Sequence, residues 1–209
     1  MYKVDIHIVI VLLLAIESQA GNPCIVLAPQ YGGNTLGGET GSVNQQDITL
    51  HLIHSICREF SVDTDRIYGT GQSMGCMQTM EMAMAHPNLF AACLLVSGQL
   101  DPEKCDSLAD KKLWIVVSED DQRAFPGMNA LTGYLKTKGA EVAYASIPAQ
   151  LSQEAYYHLA DSLVATGANI KYVSLAAGTQ TVPRISGYRA MDYLTFFRKC
   201  PTARLLNAK

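Results

Sequence analysis

Five residues, Gly71-Gln72-Ser73-Met74-Gly75, carry the spacing G-x-S-x-G. A serine hydroxyl is a weak nucleophile at neutral pH, so it transfers acyl groups only where the backbone holds it exposed and a base takes its proton. The flanking residues suit the first condition. Arg66-Ile67-Tyr68-Gly69 reads as a strand running into the turn, and Met74 to His86 reads as a helix stopped by Pro87, the order a nucleophile elbow requires. In so tight a turn, side chains at Gly71 and Gly75 are expected to collide with neighbouring backbone. Ser73 is expected at a helix N-terminus, where free N–H groups and the dipole favour developing negative charge. The Met74 N–H then serves as an oxyanion donor, and Gln72 falls beside the pocket. The competing reading is a glycine-rich strand-to-helix turn in which Ser73 is an incidental N-cap.

The elements that must hold this turn alternate along the chain. Residues 24–28 (CIVLA) read as a buried strand, 31–42 as a glycine-rich loop, and 45–60 as a helix by apolar spacing. Residues 91–98 and 113–118 are unbroken apolar runs of the kind covered on both faces. A helix over 129–139, a strand over 141–147, a helix over 152–167, a strand over 170–176 and a last helix over 188–198 complete the pattern. Strand and helix in alternation predict an α/β fold, a mainly parallel sheet with helices on both faces, in which reactive groups gather at the carboxyl ends of strands. Gln30 and Gln99 sit at such ends and are candidate pocket residues, with packing as an equal explanation.

With 209 residues, 48% of them hydrophobic and 17% charged, the chain can bury one substantial core. Its net charge of -3, with no basic run, argues against a nucleic-acid partner. Six cysteines without a CxxC pair give no zinc or dithiol signature, and disulfides stay open. No cofactor or metal is implied. His51, His54 and Cys57 share one helical stripe, but without a fourth ligand this is an amphipathic face. The apolar run 8–16 is too short to span a bilayer. Residues 1–20 suit either a signal peptide cleaved after Ala20 or a strand of the fold, so localisation is undecided between export and retention. The expected organisation is this N-terminal segment followed by one domain over 21–200.

The segments DTDRIYGTGQSMGC (63–76), LFAACLLVSGQLD (89–101) and KLWIVVSEDDQRAFPGMNA (112–130) resemble the α/β-hydrolase fold, in particular bacterial esterases of the predicted-peptidase or polyhydroxybutyrate-depolymerase-like group. The likeness runs from about Glu17 to Phe197. It implies Ser73 as nucleophile, a small ester or peptide as substrate, and an acid after residues 113–118, where Glu119, Asp120 and Asp121 stand. Related chains carry SEGD there, which selects Asp121.

Two features depart from the group. No HGG-like oxyanion motif precedes CIVLAPQ, so the fold is expected to be shortened at its N-terminus. The order Ser, Asp, His also calls for a histidine after residues 170–176, and none follows His158. The resemblance places that histidine between a GTxxVP stretch and a DWLF stretch, which here nearly abut as GTQTVP and MDYLTF. His158 reads as a packing or surface residue. His86 lies about 20 Å from Ser73 along the helix, at ~1.5 Å per residue. The expected function is therefore a serine hydrolase impaired for want of a base, or a hydrolase-like domain that binds without turnover.

Overall fold

The structure, a computed structural model, describes residues 25–29, 45–148 and 151–176. Within them, helix α1 (Gln45–Glu59) precedes strand β1 (Tyr68–Gln72), helix α2 (Met74–Ala85), β2 (Ala92–Val96) and β3 (Leu113–Ser118). Helix α3 (Ala124–Thr137), β4 (Val142–Ile147), α4 (Gln153–Ala165) and β5 (Ile170–Leu175) follow. The five strands form one sheet in the order β1-β2-β3-β5-β4, every pair parallel.

The order explains where the helices lie. Right-handed crossovers are the rule between parallel strands. From β1 to β2 and from β3 to β4 the chain advances across the sheet, so α2 and α3 cover the same face. From β4 it steps back to β5, so α4 covers the other. The two cores match this. Cys76, Met80, Leu95, Ile115, Met128 and Leu131 pack on one face, and Leu94, Trp114, Val116, Val173, Tyr156 and Leu163 on the other. Every residue of β2 is buried, and all of β3 except Ser118, which is why both read as unbroken apolar runs. Each fully buried leucine or isoleucine there is worth about 1.5–3 kcal/mol relative to exposure. The edge strands β1 and β4 carry mixed burial.

Three expectations need comment. Of the strand expected over 24–28, the described residues 25–28 form none, and Ile25 and Val26 are exposed. An apolar run supplies the side chains for a core strand but does not specify an edge for its backbone to pair with. Helix α3 starts at Ala124 rather than near residue 129, because Pro126 falls in its first turn, where the missing N–H costs nothing. The helix expected over 188–198 and the tail that would carry a base lie outside the described residues. Among those residues no helix is long and apolar enough to cross a membrane.

Candidate active site

All strands point one way, so the ends of β1, β2 and β3 share one rim. The turn after β1 is held there by a close approach of two glycine backbones. A Cβ on Gly71 would stand 2.2 Å from both the carbonyl carbon and oxygen of Gly75, and 2.7 Å from the Cys76 nitrogen. Only a residue without a Cβ fits. Gly75 is different: a Cβ there meets nothing within 4 Å. The expected clash at both glycines is therefore one-sided, because Gly71 faces into the turn and Gly75 faces out from the first turn of α2.

Between them Ser73 adopts φ 53, ψ −115, a backbone region costly for any residue with a Cβ. Its N–H donates to the Val96 carbonyl at 3.0 Å, tying the turn to the end of β2. Ser73 makes no side-chain cap bond to α2, unlike Ser152, whose hydroxyl accepts from the Ala155 N–H. The Ser73 side chain is exposed, as is Met74, at the amino end of α2. Cys76 is completely buried below the turn, its thiol pushed far above the ordinary range by desolvation and so held neutral.

The next strand end also carries a serine with positive φ. Ser97, directly after β2, has φ 47, and its N–H donates to Val116 at 3.0 Å. Ser73 and Ser97 are the non-glycine residues with positive φ among the described residues. Gly98 follows, and a Cβ there would lie 2.5 Å from the Cys76 Sγ and 3.2 Å from the Ser73 carbonyl oxygen. Gln99 packs its side chain on α3, where a Cβ on Gly127 would meet the Gln99 Cβ at 2.7 Å. Gln72 closes β1, half-buried, and Gln30 lies outside the described residues.

At the end of β3 the acidic run divides into separate tasks. Glu119 Oε1 accepts the hydroxyls of Ser146 and Ser174, each at 2.7 Å, and the Glu119 N–H donates to Leu175 at 2.9 Å. Since Ser146 and Ser174 are register partners on β4 and β5, one carboxylate joins three strand ends. Nothing in the sequence pattern singled out this group. The signal is visible afterwards: a serine near the end of each of two strands and an acid just beyond a third. Asp120 is exposed. Asp121 Oδ1 accepts the N–H groups of Arg123 at 3.1 Å and Ala124 at 2.9 Å, capping the start of α3. Ser73 and Asp121 thus stand on the same rim two strands apart, about 10 Å at ~4.8 Å per strand.

The described histidines are elsewhere. His51 and His54 are exposed on α1, His86 caps the far end of α2, and His158 is exposed on α4, against the opposite face of the sheet from α2. Among the described residues no group of His, Cys, Asp or Glu could hold a metal. Cys57, Cys76, Cys93 and Cys105 are free thiols.

Comparison with known proteins gives one family, two curated relatives and a solved structure of similar fold. The model of the prolyl oligopeptidase family matches residues 33–147. Probable acetylxylan esterase A of Neosartorya fischeri is 30% identical over 95 residues, 37% of this chain and 26% of that protein. Acetylxylan esterase A of Emericella nidulans is 38% identical over 63 residues, 30% of this chain and 18% of that protein. The crystal structure of a thermostable esterase superposes with a TM-score of 0.60 at 24% identity, over 83% of this chain and 42% of that one. The chain therefore spans about a quarter of one curated relative and under a fifth of the other, and under half of the solved structure.

Proposed function

Because the chain belongs to the prolyl oligopeptidase family and has an α/β-hydrolase fold, we propose that it is a serine hydrolase acting on a small ester or peptide by acyl transfer through Ser73. In this reading the Ser73 Oγ attacks the carbonyl carbon and the Met74 N–H receives the oxyanion. The C–O or C–N bond then breaks, and the leaving group departs with the proton that came from Ser73. Water hydrolyses the acyl-serine in a second round. Asp121, on the same rim, is the acid that would orient and support a base standing between it and Ser73. The observation that carries the reading is Ser73 at φ 53 between a parallel strand and a helix, its hydroxyl not used as a cap.

A second reading, a domain that binds such a ligand without turning it over, is favoured by one observation: among the described residues the histidines lie on α1, at the far end of α2 and on α4, none at a strand end beside Ser73. Turnover of p-nitrophenyl acetate by the wild type and Ser73→Ala, with and without added imidazole, separates the two. The hydrolase reading predicts slow turnover that is abolished in Ser73→Ala and, after subtraction of the protein-free rate at each imidazole concentration, raised by imidazole only when Ser73 is present. Equal rates in both proteins under every condition leave the binding domain.

A further inference from the structure

We infer that the outer edge of β4 is where two copies of this chain pair, strand against strand, about a two-fold axis through Tyr144. The contact is independent of Ser73, because β4 lies at the opposite end of the sheet from β1, about 19 Å away at ~4.8 Å per strand. The first observation concerns the backbone. The Ile170 N–H donates to the Glu141 carbonyl at 3.0 Å, and the Ala176 N–H to the Ile147 carbonyl at 2.8 Å. In the parallel register between those bonds, Ala143 and Ala145 also turn their backbone groups to β5. Val142, Tyr144 and Ser146 turn theirs the other way. Among the described residues no strand meets them there, since β4 is the last strand on that side.

The second observation is what this edge lacks. Edge strands are normally blunted by an outward charge, a proline, a bulge or a covering segment. Residues 142–147 (VAYASI) hold no charge and no proline, and their register with β5 is unbroken. Tyr144 is 50% exposed, an aromatic ring left open beside bare backbone. Self-complementarity then selects the partner, because a closed pair of identical chains must match itself. Laid antiparallel about Tyr144, the edge does so: Tyr144 faces its own counterpart, and Val142 of each copy faces Ser146 of the other. Every outward N–H and C=O is then used in a hydrogen-bonded pair. The tyrosine rings leave water together on one face, at about 5.5 Å between Cα atoms. On the other face Ala143 falls opposite Ala145, small enough for the closer approach of about 4.5 Å. No like charges meet along the paired strands.

The edge and its rings make a small interface, so a reversible dimer with a Kd of about 1–100 µM is expected. Sedimentation equilibrium of the full chain should show the mass rising with concentration from 22.7 kDa toward twice that value. Tyr144→Lys sets two ammonium groups against each other on the axis and should weaken pairing by more than about 100-fold while keeping the circular dichroism of the folded chain. Tyr144→Cys tests the register: Cα atoms about 5.5 Å apart suit a disulfide, so mild oxidation should join two chains through residue 144, as read by peptide mapping. Val142→Cys should not join through residue 142, whose counterpart lies about 13 Å away at ~3.3 Å per residue. A chain that stays at 22.7 kDa up to about 500 µM overturns the inference and leaves the edge to an unlike strand. A dimer that persists in Tyr144→Lys, or one that cross-links through residue 142 and not 144, overturns it as well. If Tyr144→Lys does not fold, the cysteine variants decide alone.

Discussion

Gly71 and Gly75 are interchangeable in the pentapeptide pattern, yet the fold treats them differently. A methyl group at residue 71 would overlap the Gly75 carbonyl at 2.2 Å, and both partners are backbone that cannot swing aside. Gly71→Ala should therefore destabilise by about 3 kcal/mol or fail to accumulate as folded protein. Gly75→Ala, in open space on a helix, should be neutral or stabilising by up to about 1 kcal/mol. Urea titration of the two variants beside wild type decides this. The same residues show how much of the site the sequence made legible. The spacing placed Ser73 between strand and helix, and there it is. The direction of each glycine's missing Cβ, and the second positive φ at Ser97, depend on how β1, β2 and α2 press together and have no local pattern. The oxyanion motif and the base stay unassigned, because no local motif marks a substitute for either.

Asp121 shows two roles meeting at the junction of elements. Its Oδ1 caps α3 through the Arg123 and Ala124 N–H groups, a task asparagine performs nearly as well. Its proposed catalytic task needs the negative charge, which asparagine lacks. Asp121→Asn should retain stability to within a few tenths of a kcal/mol while lowering any Ser73-dependent kcat by as much as ~10⁴-fold. Asp121→Ala should lose about 1 kcal/mol as well. A thermal melt and an esterase assay on the pair separate cap from acid. Glu119 acts at the same scale: Glu119→Ala strips the acceptor from Ser146 and Ser174 and should cost about 1–3 kcal/mol, with Glu119→Gln recovering most of it. The central strands and α2 were readable because burial on both faces imposes a continuous apolar run. Residues 25–28 misled because apolarity does not identify a pairing edge, and the start of α3 was hidden by a proline that a first turn tolerates.

At the scale of the whole molecule, the parallel α/β class followed from alternation alone, whereas the order β1-β2-β3-β5-β4 did not, since nothing local announces that the chain will step back after β4. The core between the sheet and α2 also sets a pH limit. Burial pushes the Cys93 thiol from 9.0 up to about 12, and raises that of Cys76 further. Above pH 9 the unfolded chain's thiols ionise while the folded ones stay protonated. Their contribution is whole below that pH and is lost as pH rises through the folded values. The urea midpoint should fall steadily from pH 9 to 11, with a shallower slope in Cys93→Ala. The claim on which the function rests is that this sheet presents Ser73 as a nucleophile. Intact-mass analysis after treatment with a fluorophosphonate, with peptide mapping of the adduct, tests it most directly. One adduct per chain on Ser73, absent from Ser73→Ala and from urea-unfolded protein, is the predicted result. A folded wild type that takes up no adduct, or takes it up elsewhere, contradicts it.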